Sequence, residues 1–182
     1  MVRVPYVERE SLDAEGQQIY DRIRQDRNSP TVGLQFRALL NSPKAIGYLT
    51  SMGAQLRFCS SMPEDLKELT IIMVAREWNS DIEWTGHAVL AAKAGISAAS
   101  IEAIRTRKDP AGLTEREQVI ARFVQQLLRN KDVSDENFAA AQKLLGTKGV
   151  VDLTLSCGYF TALALAQIAL KLEMNLGRVS TL

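Results

Sequence analysis

His87 is the one histidine in the 182-residue chain. It lies in the apolar run Glu83-Trp84-Thr85-Gly86-His87-Ala88-Val89-Leu90, with Glu83 four residues before it. That spacing puts the carboxylate and the imidazole on one helix face, within side-chain reach of each other. A carboxylate that orients and polarises an imidazole is an arrangement that acid–base catalysis uses near neutral pH. Two structural explanations stand beside this one. Glu83 and His87 form an ordinary helix-flank pair, or Glu83 serves as the third residue of an S-x-x-E capping box opened by Ser80. Trp84 and Tyr159 read either as walls of a substrate pocket or as core aromatics at helical spacing. Arg76, beside Glu77, reads either as a receptor for a substrate carboxylate or as a surface charge.

The two cysteines, Cys59 and Cys157, form no C-x-x-C and no disulfide-rich spacing. A stapled secreted scaffold and a Cys-ligated zinc site are therefore not indicated, and both thiols read as structural, with a one-cysteine redox role for Cys59 left open. One histidine with two carboxylates is a poor metal-ligand set, so neither a metal nor a cofactor is expected.

Helical punctuation runs through the chain. Residues 1–10 carry Pro5 and no sustained period, which reads as an extended arm. Ser11 precedes a first helix with apolar positions at Ile19 and Ile23, fading near Asn28-Ser29-Pro30. Ser42-Pro43 opens a second helix toward Cys59, and Pro63 a third with Glu64 and Asp65 in its first turn, ending near Asn79. The helix behind Ser80 stops at Gly95, and Ser97 starts a short one to about Arg107. A second capping box, Thr114-Glu115-Arg116-Glu117, leads into the stripe Val119, Ile120, Phe123, Val124, Leu127 and Leu128. Ser134 and Gly146 bracket another helix, and the most apolar one runs from about Gly149 to Asn175 with Gly177 as its stop. No segment keeps the period-2 alternation of a strand. The expectation is an all-α, single-domain bundle of about eight helices over residues 11–177, with a hinge only at 107–113.

Composition narrows the partners. With 46% hydrophobic and 24% charged residues the chain is an ordinary globular one, and 22 Lys+Arg against 21 Asp+Glu leave a formal charge of +1. No bulk field draws nucleic acid or an anionic membrane. The stretch from Leu113 to Gly149 looks superficially like a helix-turn-helix, but its six Lys/Arg are nearly balanced by five Asp/Glu, so few phosphate contacts are available. Charges interrupt the N-terminus where a secretory signal needs an apolar run. Val150–Leu170 approaches membrane length, yet Asp152, Thr154, Ser156, Thr161 and Gln167 within it mark a buried or subunit-contacting helix. A reduced, cytoplasmic setting follows.

The longer pattern Glu68-Leu69-x-x-x-x-Val74-Ala75-Arg76-Glu77-Trp78-Asn79-Ser80-x-x-Glu83-Trp84-x-x-His87-x-x-Leu90-Ala91-x-x-Ala94-Gly95-Ile96-Ser97 resembles the core of the carboxymuconolactone decarboxylase and alkylhydroperoxidase D superfamily. The likeness continues through Val133-Ser134-Asp135-x-x-Phe138 and Gly149-Val150-Val151-Asp152-Leu153-Thr154-x-x-x-Gly158-Tyr159-Phe160-Thr161, covering roughly residues 40–172. In the peroxidase branch, the resemblance implies, a glutamate, a C-x-x-C pair and a histidine form a proton relay; these fall on Glu68, on Ser80 and Glu83, and on His87. Both redox cysteines are absent. A serine hydroxyl supplies neither a low-pKa thiolate nor a disulfide.

The decarboxylase branch, which also lacks the pair, is the nearer likeness. It implies acid–base chemistry at His87 on a small carboxylated or lactone-type metabolite. The residues themselves then read with Glu68 and Glu83 holding the imidazole's tautomer, and with Ser80, Trp84, Arg76 and Tyr159 near the substrate. The resemblance further implies a homo-oligomer, a dimer, a trimer or a multiple of a trimer, and the apolar closing helix is consistent with subunit contact. Residual alkylhydroperoxidase-type activity and a non-catalytic oligomeric role are the alternatives, since three polar residues also persist as a buried hydrogen-bonded network.

Overall fold

The computed structural model describes residues 1–107, 112–175 and 177–182. Among them are eight α-helices and no strand, as the sequence leads one to expect: α1 Ala14–Asp26, α2 Leu34–Leu39, α3 Pro43–Phe58, α4 Glu64–Glu77, α5 Asp81–Lys93, α6 Ala98–Arg105, α7 Glu115–Gln125 and α8 Asp135–Leu170. The hinge expected at 107–113 falls largely on residues 108–111, outside the described residues. The chain forms two compact units, one of Met1–Cys59 with Leu165–Val179, the other of Ser60–Ala164 with Ser180–Leu182.

In the first unit Ile19, Ile23, Val32, Leu40 and Ile46 form the core, with Leu12, Tyr20, Phe36 and Leu49 packed against it. Asp13 caps α1 by accepting the Gly16 N–H at 2.8 Å, while Ser11 closes a 3-10 turn over Arg9–Ser11. The cap thus lies two residues beyond the serine that the pattern suggests. Helix α2 has no counterpart in the sequence reading. Its six residues are too few to show a period, and its first N–H, from Leu34, is satisfied by Asn175 Oδ1 at 2.9 Å, far away in the chain. The N-terminal arm is tied down: Arg3 N–H donates to Leu170 O at 2.9 Å, and Tyr6 OH accepts the Glu173 N–H at 3.2 Å. Gln35 and Gln167, both buried, bond side chain to side chain at 2.6 Å.

The second unit is built around α4, in which ten consecutive residues, Leu66–Ala75, are buried. Helices α5 and α7 pack directly on it. The α4–α5 turn closes with Asn79 in the left-handed region (φ 51°) and the Ser80 N–H on Ala75 O at 2.8 Å, a helix stop in which asparagine stands where glycine is commoner. Thr114 and Glu117 complete the capping box of α7 as expected.

Helix α8 contains a true break at Gly146 (φ 72°, ψ 173°), so the two helices expected there are both present. Beyond it Val150, Leu153, Cys157, Phe160 and Ala164 are buried at helical spacing. The helix ends at Leu170, five residues short of the expected Asn175. Lys171 adopts φ 51° and the Leu172 N–H turns back to Gln167 O at 3.0 Å, so a lysine rather than Gly177 makes the stop. By length and composition α8 is also the one helix among the described residues apolar enough to cross a membrane, with 44% of its most apolar window buried.

Asp152 fastens this helix. It accepts from Ser60 Oγ at 2.9 Å, the Ser61 N–H at 3.1 Å and Lys148 Nζ at 2.9 Å. Burial pushes its carboxyl up, but these donors outweigh burial and hold it below the usual aspartate range. A carboxylate with a depressed folded-state pKa contributes stability that is present above the unfolded value, about 3.9, and is lost as pH falls through the folded one. Asp152→Asn therefore lowers unfolding free energy at pH 7 by about 1–2 kcal/mol, and urea melts should show the gap from wild type shrinking below about pH 4. A gap equally large at pH 3 contradicts this account.

Candidate active site

Helix α4 contributes Glu68 and α5 contributes Glu83 and His87, one turn apart. All three are buried, Glu68 at 2% exposure and the other two at 7%. His87 Nδ1 lies 2.7 Å from Glu68 Oε2, and His87 Nε2 lies 3.7 Å from Glu83 Oε2. With Glu68 ionised, Nδ1 carries a proton and donates it to the carboxylate, which directs Nε2 toward Glu83. The imidazole thus lies between two carboxylates drawn from two helices. From α8, Phe160 meets the imidazole edge-on, ring centroids 5.4 Å apart at 78°, and Tyr159 meets Phe160 at 4.9 Å and 87°.

The other residues singled out from the sequence divide. Ser80 is buried, and its hydroxyl accepts the Glu83 N–H at 3.3 Å, capping α5. Its own N–H is taken by Ala75, so the backbone bond that a capping-box glutamate usually satisfies is made by the end of α4 instead. Trp84 and Tyr159 are each only 1% exposed, which makes both core side chains as they stand. Arg76 does not join the cluster. Its Nε donates to Arg105 O at 2.6 Å and its Nη1 bonds the Asn79 side chain, tying α4 to the end of α6. Burial, then repulsion by the nearby Arg107 guanidinium, lowers its pKa. It lines a separate cleft with Met73, Ile104, Arg107 and Arg129.

Phe160 and the bond from Trp78 Nε1 to Thr161 Oγ1 at 3.0 Å were not found by sequence reasoning. The spacing 150, 153, 157, 160, 164 marks a buried face of α8, but it does not say what that face meets. Cys157 sits on the same face one turn before Phe160. Burial pushes its thiol up to about 12, so it carries essentially no thiolate at neutral pH. Cys59 is exposed. Among the described residues no three His, Cys, Asp or Glu side chains group as a metal-ligand set.

This all-helical architecture is the alkylhydroperoxidase D-like fold. A crystal structure described as an alkylhydroperoxidase AhpD core, an uncharacterised peroxidase-related protein from Ralstonia eutropha, matches with TM-score 0.78 at 13% identity, over 99% of this chain and 98% of that one. A peroxidase-related protein from a Silicibacter species matches with TM-score 0.74 at 15% identity, over 95% and 90%. A protein of unknown function from Agrobacterium tumefaciens, described as a candidate antioxidant defence protein AhpD, matches with TM-score 0.64 at 14% identity, over 75% and 94%. At such identities the likeness is one of fold. No protein-family model and no curated protein matches the sequence.

Proposed function

We propose that the chain is an acid–base enzyme of the carboxymuconolactone decarboxylase kind, a lyase or an isomerase, acting on a small lactone-type or carboxylated metabolite through His87. The observation that carries this reading is the Glu68–His87 hydrogen bond of 2.7 Å, with Glu83 on the other side of the ring and no ionisable thiol in the cluster. Glu68 holds the tautomer. Nε2 is the atom that exchanges a proton with the substrate, and Glu83 supports the imidazolium that forms when Nε2 takes one up. In a decarboxylation the carbon–carbon bond to the carboxylate breaks, carbon dioxide leaves, and the electron pair enters the conjugated enolate. The imidazolium, formed when Nε2 takes a proton from solvent, delivers that proton to carbon and returns to the neutral imidazole, so each turnover consumes one solvent proton.

The names of the structural neighbours point to the other reading, thiol-dependent reduction of hydroperoxides. Against it stand Ser80 and Glu83 at the positions where the family resemblance puts the redox pair, together with the protonated, buried Cys157. The two readings separate on the double variant Cys59→Ser, Cys157→Ser. Turnover of unsaturated lactones, followed by ultraviolet absorbance, should be unchanged in it. Loss of that turnover, or consumption of hydroperoxide by wild type that vanishes in the double variant, overturns the acid–base account.

The same reading makes the protein a cytoplasmic homo-oligomer with a small-molecule substrate and neither nucleic acid nor membrane as partner. Val151, Leu155, Gly158 and Ala162 form an exposed row on α8 at the 4-3-4 spacing that suits helix contact between copies. Light scattering should give a multiple of 20.1 kDa, and Leu155→Asp should reduce it; a monomeric wild type contradicts this.

A further inference from the structure

One hydrogen bond does not hold an imidazole in one plane. The torsion about the Cβ–ring bond of a histidine is broad, and a hydrogen bond tolerates tens of degrees of bending. A ring held by Glu68 at Nδ1 alone therefore swings about its Cβ–Cγ axis, bending that bond and carrying Nε2 through an arc. Glu83 does not stop that swing, because 3.7 Å between Oε2 and Nε2 exceeds a hydrogen bond. Phe160 does supply a wall. Its ring stands at 78° to the imidazole with centroids 5.4 Å apart, and the residue is 2% exposed.

Phe160 is itself held on two sides. Tyr159 packs edge-on against it at 87°, and the next residue, Thr161, accepts the Trp78 indole N–H at 3.0 Å, which links this turn of α8 to the end of α4. Since α4 also carries Glu68, the two groups that orient His87 are referred to the same helix. We infer that Phe160 is a positioning residue: its ring fixes the plane of the His87 imidazole so that Nε2 keeps one direction while Glu68 fixes its tautomer. This rests on the acid–base reading for its purpose, but the placement itself is measurable without a substrate.

Because the chain has one histidine, the Nδ1–H proton and both ring nitrogens are read directly by NMR on uniformly 15N-labelled protein. In wild type a slowly exchanging Nδ1–H and a single tautomer are expected. In Phe160→Leu the Nδ1–H should exchange with water roughly three- to tenfold faster, the range an aromatic edge contact is worth, and the nitrogen shifts should move toward a tautomer average. Phe123→Leu is the matched control, since Phe123 is another 2%-exposed phenylalanine, on α7; it removes the same atoms from the core and should leave both signals at their wild-type values. Should Phe160→Leu not fold, Phe160→Met, which keeps volume without a planar ring, is expected to show the same change.

Wild-type exchange and nitrogen shifts in the Phe160 variant overturn the assignment, as does an equal change in Phe123→Leu, which would make the effect a general loosening. Failure of the functional reading is a different result. His87→Gln with undiminished turnover sinks the chemistry, whatever the exchange measurement says of Phe160.

Discussion

Turnover falls by about 10²–10⁴-fold when His87 is replaced by glutamine, the range that a positioned proton-transfer group contributes, while the protein keeps its fold. Glutamine is the informative substitution because its side-chain NH₂ can still donate to Glu68, which at 2% exposure has little access to water. His87→Ala removes that donor as well. A buried carboxylate left without its partner is destabilising by about 3–5 kcal/mol, so the alanine variant should lose both activity and thermal stability. The glutamine variant should lose activity alone. Paired circular-dichroism melts and steady-state kinetics on the two variants separate a catalytic imidazole from a structural one. If His87→Gln retains wild-type kcat, the cluster is a hydrogen-bonded core element and the proton transfer is carried by a group other than His87.

The second large effect belongs to Trp84. The indole is adjacent in sequence to Glu83 and was a candidate pocket wall, yet it is 1% exposed and among the largest fully buried side chains. Removing such a ring costs the transfer free energy of its atoms and leaves a cavity, together about 3–5 kcal/mol for Trp→Ala, against a total stability of roughly 5–15 kcal/mol for a typical domain. Trp84→Ala should therefore lower the urea midpoint sharply, with Trp84→Phe in between. If Trp84 instead lined a substrate pocket, Trp84→Ala would raise KM and leave the midpoint near wild type. Measuring the midpoint and KM on the same preparations decides between the two roles.

Much of this protein is legible in the sequence because the relevant physics is local. Helix starts at Pro43, Ser80, Ser97 and Thr114, the stops at Asn79 and Gly95, and the break at Gly146 follow from capping and backbone preferences that act over a few residues. The Glu83–His87 pair is equally local, because four residues along a helix set two side chains together whatever surrounds them. Where the outcome depends on a remote group, the local signal fails. Helix α2 takes its cap from Asn175, and α8 stops at Leu170 through a lysine in the left-handed region.

The completed site belongs to tertiary structure. Since α4 is buried on every face over Leu66–Ala75, its pattern has no amphipathic stripe to tell which face meets α5. The family likeness singled out Glu68, but only the packing of α4 on α5 sets its carboxylate on Nδ1. The same packing turns Arg76, two turns farther along α4, to the end of α6 and away from the histidine. Phe160 reaches the imidazole through the register of α8, which is set by Asp152 on Ser60 and Ser61 and by Thr161 on Trp78. Sequence alone therefore determined which residues are able to move a proton, because that is a property of side-chain type and helical spacing. The direction in which the proton moves depends on contacts between helices far apart in the chain, and those exist only once the core has packed.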